Sequence, residues 1–294
     1  MIDFIKLSKR ITIEEQVMLS KNIDCYISII EKTGEVISLS SNGKRVKQHS
    51  ECWLKNMKIK LYPNHYTEVS GSLHKYFNNG IHNYNQFGLS DLKKTISLLS
   101  EKTGLDLSKF KVDAVEVGCN LSPPIPSQEI IQNSLMYKRS VFESKICSDE
   151  GCYKQANLHE YAIKLYDKRK HYEMKNHDVG EEILRFEIKI NKMRKLSSFS
   201  VFHLSDLVNN LHKIKDILPE LWDHVLHYDS TMNEKIKEET IRYADVNFWI
   251  NLLKKKNRSY HYHHKKLYRL MEGNTCGIQA QIKKNMIETL DTLV

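Results

Sequence analysis

Several features that would classify a chain at once are missing from this sequence of 294 residues. No apolar run approaches the roughly 18 residues that a membrane-spanning helix needs. Residues 1–10 lack the uninterrupted apolar stretch of a secretory signal. We find no internal repeat, low-complexity tract or obvious flexible linker. These absences predict a cytoplasmic protein without a membrane segment.

Cysteines are few and scattered, and they form no recognisable metal motif. The six are Cys25, Cys52, Cys119, Cys147, Cys152 and Cys276. Because no targeting segment accompanies them, reduced thiols are expected rather than a disulfide framework. A zinc site built on Cys147 and Cys152 would need a second pair at ligand spacing, which the sequence lacks. A hairpin around residues 148–151 accounts for the close pair.

The charge of the chain indicates an anionic partner. Lys and Arg number 45 against 36 Asp and Glu, which gives a formal charge of +9 and a pI near 9.0. Apolar residues make up 40% and charged residues 28%, a balance typical of soluble globular proteins. Neutralisation of phosphates by Lys and Arg supplies most non-specific affinity for nucleic acid, although basicity alone does not establish DNA binding.

The pattern along the chain predicts an α+β protein with a helical C-terminal region. We place an α+β domain at 1–200 and a helical region at 201–294. Residues 25–30 and 36–39 read as a hairpin, a second turn lies at 42–43, and 66–74 is extended.

Two helices are predicted within the first domain. The first is capped by Ser90 and ended by Gly104. The second begins after residues 123–126, and its apolar stripe would be Ile130, Ile131, Leu135 and Met136. Beyond residue 204 further stripes are predicted to form core, and they consist of Leu207, Leu211, Ile214, Leu218, Leu221, Trp222, Val225 and Leu226.

Three segments, at 112–121, 161–166 and 183–190, read as strands with one apolar and one polar face. Side chains alternate along a strand, so the polar faces can be assigned. They carry Glu116 and Asn120 on the first strand, Lys164 and Tyr166 on the second, and Arg185, Glu187 and Lys189 on the third. We expect the three strands to be neighbours in one antiparallel sheet, which presents these groups together.

Such a surface contains what metal-assisted phosphoryl transfer needs. Oxygen ligands from Glu116, Asn120 and Glu187 suit Mg²⁺ or Mn²⁺, which take only one or two protein carboxylates and keep several waters. The phenol of a tyrosine has an ordinary pKa near 10, so as a nucleophile it needs cations or a base beside it. Lys164, Lys168 and Arg185 are placed to provide the positive charge. A half-solvated antiparallel sheet of no catalytic function would show the same alternation.

The segment Ile163-Lys164-Leu165-Tyr166-Asp167-Lys168, followed by Arg185-Phe186-Glu187, resembles the signature of rolling-circle replication initiators. Two groups are similar: filamentous-phage replication proteins, and staphylococcal-type plasmid initiators with their relaxase relatives. In the second group a Tyr-Asn/Asp-Lys strand carries the nicking tyrosine and an Arg-x-Glu strand follows. The resemblance assigns those roles to Tyr166 and Glu187.

Two further segments extend the resemblance over residues 66–196. The initiators carry two acidic metal ligands four residues apart on an upstream strand, where this chain has Glu116 and Asn120. The amide in the second position removes one ligand charge. Residues 70–76 resemble the phage-type Gly-Ser-x-x-Lys stretch, whose small residues would let Ser72, His74 and Lys75 approach a DNA backbone.

The resemblance implies a mechanism and partners. Tyr166 would attack a phosphodiester at an origin, leaving a 5′-phosphotyrosine and a free 3′ hydroxyl. The partners would be double-stranded and single-stranded origin DNA, a host helicase and a host DNA polymerase in a bacterial cell, with no membrane. The resemblance does not extend to the C-terminal helices, which we expect to contact DNA or to mediate self-association as a homodimer.

A basic stretch near the C-terminus is the second predicted DNA-contacting region. Between Asp245 and Glu272 there is no acidic residue, and Tyr260, Tyr262 and Tyr268 are available for stacking. Its cations, with Lys164 and Lys189 of the strands, complete the predicted DNA contacts: Lys254, Lys255, Lys256, Arg258, Lys265, Lys266 and Arg269. We do not interpret His261, His263 and His264 as metal ligands, because the stretch reads as helix and not as a core strand.

Two other functions remain open at this level. Glu187-Ile188-Lys189 with Glu116 would suit a metal-dependent nuclease that uses water as the nucleophile. A non-catalytic origin-binding regulator would keep the fold without the chemistry. A protein–DNA adduct distinguishes the tyrosine mechanism from both.

Overall fold

The computed structural model describes residues 1–26, 49–147, 151–231, 240–255, 257–272 and 277–294. In these residues the strands are β1 Ile2–Arg10, β2 Cys25–Tyr26, β3 Ser50–Leu54, β4 Met57–Leu61, β5 Tyr66–Ser72, β6 Lys111–Leu121, β7 Ser134–Tyr137, β8 Ser140–Val141, β9 Glu143–Cys147, β10 Gly151–Asn157, β11 Tyr161–Asp167, β12 Leu184–Ile190 and β13 Val225–His227. The helices are α1 Ile13–Asn22, α2 Leu73–Phe77, α3 Leu89–Thr103, α4 Ser127–Asn133, α5 Lys168–Glu173, α6 Leu204–Asn209, α7 Leu211–Ile214, α8 Ile217–Trp222, α9 Val246–Lys255, α10 Asn257–Glu272 and α11 Ile278–Leu293. The predicted α+β class is confirmed.

The chain divides into two compact units, each made of separated stretches. Unit 1 contains residues 1–117, 190–214 and 293–294, and unit 2 contains 118–189 and 215–292. Strand β6 begins in unit 1 and ends in unit 2. The predicted division at residue 200 falls inside the 190–214 stretch of unit 1.

The sheet of unit 1 has the strand order β2-β3-β4-β5-β1-β6, and all these neighbours are antiparallel. The sequence of β4, Met-Lys-Ile-Lys-Leu, shows why this segment forms a strand with one apolar and one polar side. Met57, Ile59 and Leu61 are buried, whereas Lys58 and Lys60 point to the other face and remain partly exposed. One face of this sheet is therefore core and the other is polar.

Helix α3 starts earlier than predicted. Its first residue is Leu89 and Gly88 occupies the N-cap position, where its backbone N–H donates to Asp91 Oδ2 at 3.1 Å. The prediction of Ser90 as the cap was wrong, because the acidic residue three positions after Gly88 supplies the capping bond. Gly104 ends the helix as predicted, with φ of 71° in the left-handed region that favours glycine.

Cys25 and Cys52 are joined by a disulfide. They are direct partners in the pairing of β2 with β3, and their Cα atoms are 4.3 Å apart. The expectation of reduced thiols was therefore wrong for this pair. The two cysteines are 27 residues apart in sequence, and only the pairing of β2 with β3 brings them together. The rest of the predicted 25–39 hairpin and the turn at 42–43 lie outside the described residues.

The sheet of unit 2 has the order β6-β12-β11-β10-β9, where β6 contributes its residues from Gly118 onward. Leu184, Phe186 and Ile188 of β12 are fully buried and form the apolar side. Strands β9 and β10 are antiparallel, with Gly151 opposite Cys147, which confirms the predicted hairpin. The three strands predicted to carry chemistry are neighbours, as expected.

Two segments predicted as helix are strand. Helix α4 ends at Asn133, and Leu135 and Met136 lie in β7. Val225 and Leu226 lie in β13, where Leu226 is the partner of Met136 in a three-stranded sheet of order β13-β7-β8. Short apolar runs fit either period, and the long-range pairing that decides between them is not visible locally.

The remaining C-terminal chain is mostly helical, and the predicted apolar stripes are buried. In unit 2 an aromatic cluster joins Tyr243, Trp249 and Tyr260, and the Trp249 indole N–H donates to Tyr243 O at 2.8 Å. Among the described residues, no helix has both the length and the apolar composition to cross a membrane.

Candidate active site

The polar faces of β6, β12 and β11 meet in unit 2, and Glu187 of the middle strand lies at the centre of the site. Its side chain is almost fully buried, at 2% exposure. Lys164 Nζ lies 3.3 Å from Oε1, and Arg185 Nε donates to Oε2 at 3.0 Å. An ionised carboxylate is costly to bury unless it is paired. These two cations offset part of the cost of burying the Glu187 carboxylate.

Tyr166 reaches the same carboxylate from the neighbouring strand β11. Its hydroxyl lies 3.5 Å from Glu187 Oε2, and its ring is partly exposed. The ring centroid of His171 is 6.0 Å away. The phenol is thus neither sealed in the core nor remote from charge, as a nucleophile requires.

Two other tyrosines, Tyr161 at the start of β11 and Tyr172 on α5, are buried, whereas Tyr153, the register partner of Tyr166 on β10, is partly exposed. Tyr161 is 6% exposed, and its hydroxyl lies 3.2 Å from that of Tyr137. Tyr172 is 1% exposed. Of Tyr161, Tyr166 and Tyr172, only Tyr166 has a phenol that is both beside the charged groups and open to a substrate.

Asn120 provides the second acceptor of the site. Its Oδ1 accepts from Arg185 Nη1 at 3.1 Å and from Lys168 Nζ at 3.3 Å. Arg185 therefore bridges Asn120 and Glu187 with one guanidinium. The structure thus brings Asn120, Lys164, Tyr166, Arg185 and Glu187 together in unit 2.

Lys168 enters the site from the first turn of α5. Its side chain is fully buried, at 0% exposure. Asp167 caps this helix by accepting from Lys170 N at 2.9 Å, and Lys168 N donates to Ile183 O at 2.8 Å. Burial raises the pKa of the Asp167 carboxyl. The cap and the backbone hydrogen bond hold the backbone of Lys168 in place, and the contact with Asn120 Oδ1 positions its ammonium group.

Gly118 is a site residue that the sequence analysis did not identify. A Cβ at this position would lie 2.6 Å from Glu187 Cβ and 2.7 Å from Arg185 Cζ. Only glycine leaves room for Arg185 and Glu187 to lie flat against β6. The available signal was a glycine inside a strand, between Glu116 and Asn120.

Glu116 lies on β6 in unit 1, two residues before Gly118. It is 9% exposed, and strand alternation places it on the face of Gly118 and Asn120. The prediction that it holds a metal remains untested.

The side-chain oxygens of Glu187 and Asn120 converge on one group, as the ligands of a divalent cation converge on the ion. Glu187 Oε2 and Asn120 Oδ1 both bind the guanidinium of Arg185, so two oxygens already converge on one positive group. Mg²⁺ and Mn²⁺ are completed by waters and substrate phosphates, so few protein ligands suffice. Within the residues described, no cluster of three His, Cys, Asp or Glu side chains occurs.

The upstream stretch at Ser72 has structural contacts. Ser72 Oγ accepts from Lys75 N at 3.0 Å, which caps α2, and it donates to the Asp3 carboxylate. His74 is 2% exposed, bonds Asn85 Oδ1 at 2.7 Å and stacks on Phe87. Lys75 is partly exposed, as is Lys189 on β12. Contact of these four residues with DNA remains a prediction.

The basic stretch forms α9 and α10, as predicted, and its cations are exposed. These are Lys254, Lys255, Arg258, Lys265, Lys266 and Arg269, whereas Lys256 lies outside the described residues. Tyr262 and Tyr268 are exposed. Tyr260 is 4% exposed and donates to Lys138 O at 2.6 Å, so its proposed stacking role was wrong.

The histidines of α10 each have a protein contact. His261 Nε2 lies 2.8 Å from Arg139 Nη2, and His263 Nδ1 lies 3.0 Å from the Tyr243 hydroxyl. His264 stacks on Tyr260, and burial lowers the pKa of its imidazole. These contacts attach α10 to the aromatic cluster.

No protein-family model matches the chain, and no significant match occurs among curated proteins. Among solved structures, the chain is similar to a structure described as a rolling circle replication initiator protein from Geobacillus stearothermophilus. Identity is 11%, the TM-score is 0.42, and the match covers 86% of this chain and 94% of that one. A likeness at this level assigns no function to the chain.

Proposed function

We propose that the chain is a rolling-circle replication initiator that nicks one DNA strand with Tyr166. The observation that carries the proposal is the position of the Tyr166 hydroxyl, 3.5 Å from Glu187 Oε2 and on a carboxylate that also binds Lys164 and Arg185. A partly exposed phenol beside buried charges is what a tyrosine nucleophile needs.

In this mechanism the Tyr166 oxygen attacks the scissile phosphorus and the bond to the 3′ oxygen breaks. The phenol loses its proton, for which Glu187 Oε2 is the adjacent acceptor, and the 3′ oxygen leaves with the bonding electron pair and takes up a proton from water to become a hydroxyl. The products are a 5′-phosphotyrosine and a 3′ end that a host polymerase can extend. A host helicase would separate the strands.

The cations of the site stabilise the charge that develops on the phosphate. Arg185 and Lys168 are held in place by Asn120 before substrate arrives, so little reorganisation is required. A Mg²⁺ or Mn²⁺ held by Glu116, Asn120 and Glu187 would polarise the scissile phosphate. Lys164 would neutralise the neighbouring backbone.

The test is formation of a covalent adduct. Incubating the protein with supercoiled DNA from its own gene's neighbourhood, in Mg²⁺ or Mn²⁺, should relax the DNA and give a protein-linked band on a denaturing gel. Tyr166→Phe should abolish the band while DNA affinity stays nearly unchanged. Tyr172→Phe is the matched control and should retain the band.

Other outcomes decide between the alternatives. Nicked DNA without a linked band, equally in the wild type and in Tyr166→Phe, would indicate a hydrolytic Glu-x-Lys nuclease that uses water. Binding without relaxation in either metal would indicate a non-catalytic regulator. An adduct that persists in Tyr166→Phe would move the nucleophile to another residue.

A further inference from the structure

Strands β1 to β5 of unit 1 contain none of the residues assigned to the nicking mechanism, and their two faces differ in character. Across the strands, Cys52, Ile59, Val69 and Leu7 are successive register partners, and each is fully buried. The next row, Trp53, Lys58, Ser70 and Lys6, lies on the opposite face. We call this opposite face of β2, β3, β4, β5 and β1 the polar face.

Two large aromatic side chains stand exposed on the polar face. Trp53 of β3 is 52% exposed and Tyr26 of β2 is 67% exposed. Tyr26 is the partner of Glu51, two residues from Trp53, so the two aromatics are diagonal neighbours on adjacent strands. The disulfide between Cys25 and Cys52 holds these strands together from the other face.

The charges around them favour an anionic occupant. Lys58 Nζ lies 5.0 Å from the centroid of the Trp53 ring. The face carries four cations, Lys6, Arg10, Lys58 and Lys60, against two acids, Glu51 and Glu68. The acids pair with part of this charge, since Glu51 Oε2 lies 2.6 Å from Lys58 Nζ and Glu68 Oε1 lies 3.1 Å from Lys6 Nζ. A net positive charge remains.

Further rings continue along the same face. The ring centroids of His49 and Tyr62 are 5.2 Å apart, and those of Tyr62 and Tyr66 are 5.8 Å apart. Burial beside Glu68 raises the pKa of Tyr62 to about 12, so this phenol stays neutral. The polar face therefore carries two exposed rings, Tyr26 and Trp53, and the less exposed rings of Tyr62 and Tyr66, beside its lysines.

We infer that the polar face binds single-stranded DNA without sequence preference, with a base stacked on Trp53 and its phosphates near Lys58 and Lys6. Every base has a π face, and aromatic platforms flanked by cations bind single strands in this way. The inference rests on the proposed function only in taking DNA as the partner. Its role would be to hold the strand that nicking sets free.

Tryptophan fluorescence tests the inference directly. Trp222 and Trp249 are fully buried, so a base that stacks on the surface reaches only Trp53 among the three tryptophans. Adding oligothymidylate to the full chain should quench the emission, and Trp53→Phe should remove the response. With labelled oligothymidylate, Trp53→Ala should lose on the order of tenfold in affinity, whereas Trp53→Phe retains a ring and stays near wild type.

Two results would overturn the inference. One is an emission that oligothymidylate leaves unchanged although acrylamide quenches it, because Trp53 would then be accessible but unstacked. The other is a change in emission with protein concentration alone, which would indicate a second copy on this face. If oligothymidylate fails to bind while the Tyr166 adduct still forms, the inference fails and the proposed function stands. If oligothymidylate quenches the emission but no Tyr166 adduct forms, the inference stands and the proposed function fails.

Discussion

Arg185 illustrates how much of the site depends on single side chains. It is 3% exposed and carries a charge that burial would oppose if it were unpaired. One guanidinium satisfies both Asn120 and Glu187, and the planar, branched shape of arginine makes this possible where lysine would reach one oxygen. The position of Arg185 in turn depends on the absence of a side chain at residue 118.

Gly118→Ala should therefore impair the site without contacting substrate. The added methyl would lie within 3 Å of both Glu187 and Arg185, so these side chains must shift. We expect adduct formation to fall by at least about tenfold, since small displacements of catalytic groups have large effects on rate. Gly180→Ala is the matched control, because a Cβ there meets nothing within 4 Å.

Comparison of the two glycine variants separates misplacement from unfolding. Both should retain cooperative unfolding, and oligothymidylate binding should be equal in the two. An adduct rate for Gly118→Ala equal to that of Gly180→Ala would show that the site tolerates the shift.

The sequence predicted most of these residues because strands alternate with a period of two. Once β6, β11 and β12 are identified, Asn120, Tyr166 and Glu187 must lie on their polar faces. Gly118 and the bridging contact of Arg185 could not be predicted in this way, since they depend on the spacing between strands. Burial of Tyr260 likewise depends on packing against Lys138, which lies 122 residues away.

At the level of elements, the sequence pattern identified the long strands β6, β11 and β12 correctly and misassigned the short strands β7 and β13 as helix. Strand β6 has 11 residues, enough to show its alternation, whereas β13 has three. A segment of that length has no period, and pairing with β7 decides its structure. In β13 the partner of Ser134 is His227, a buried residue whose Nε2 has no hydrogen-bond partner.

The stability of β13 should depend on pH through His227. Burial, followed by the charge of Lys154, lowers the pKa of its imidazole from 6.5 to about 4. Protonation then favours the unfolded chain, so the contribution is complete above pH 6.5 and is lost as the pH falls toward 4. The free energy of unfolding should drop by up to about 3 kcal/mol over this range from this group.

His227→Asn isolates this contribution. Asparagine can place a polar atom near the position of Nδ1, which lies 3.3 Å from Ser134 Oγ, and it does not titrate. Urea unfolding of both proteins at pH 4 to 7 should give curves that converge as the pH falls. Parallel curves would show that His227 is not the titrating group.

For the molecule as a whole, the net charge of +9 is distributed over several surfaces. Helices α9 and α10 present six exposed cations, and the polar face of unit 1 presents others. The sequence predicted the charge and the basic stretch, because both are local properties. It could not predict that each unit is assembled from separated stretches of chain, since that depends on which strands pair.

The distribution of charge predicts which cations set the salt dependence of DNA binding. Replacing Lys265, Lys266 and Arg269 of α10 with alanine removes three exposed charges from the predicted DNA-contacting helix. Each phosphate contact that is lost should lower the slope of log K against log salt by about 1.

Replacing Lys93, Lys94 and Lys102, which are exposed on α3, changes the net charge equally and is the matched control. Duplex DNA is titrated at salt concentrations from about 50 to about 200 mM, a range in which phosphate contacts change the affinity strongly. Only the α10 variant should show a smaller slope. Equal slopes for the two variants would mean that DNA senses the total charge and that α10 makes no phosphate contacts.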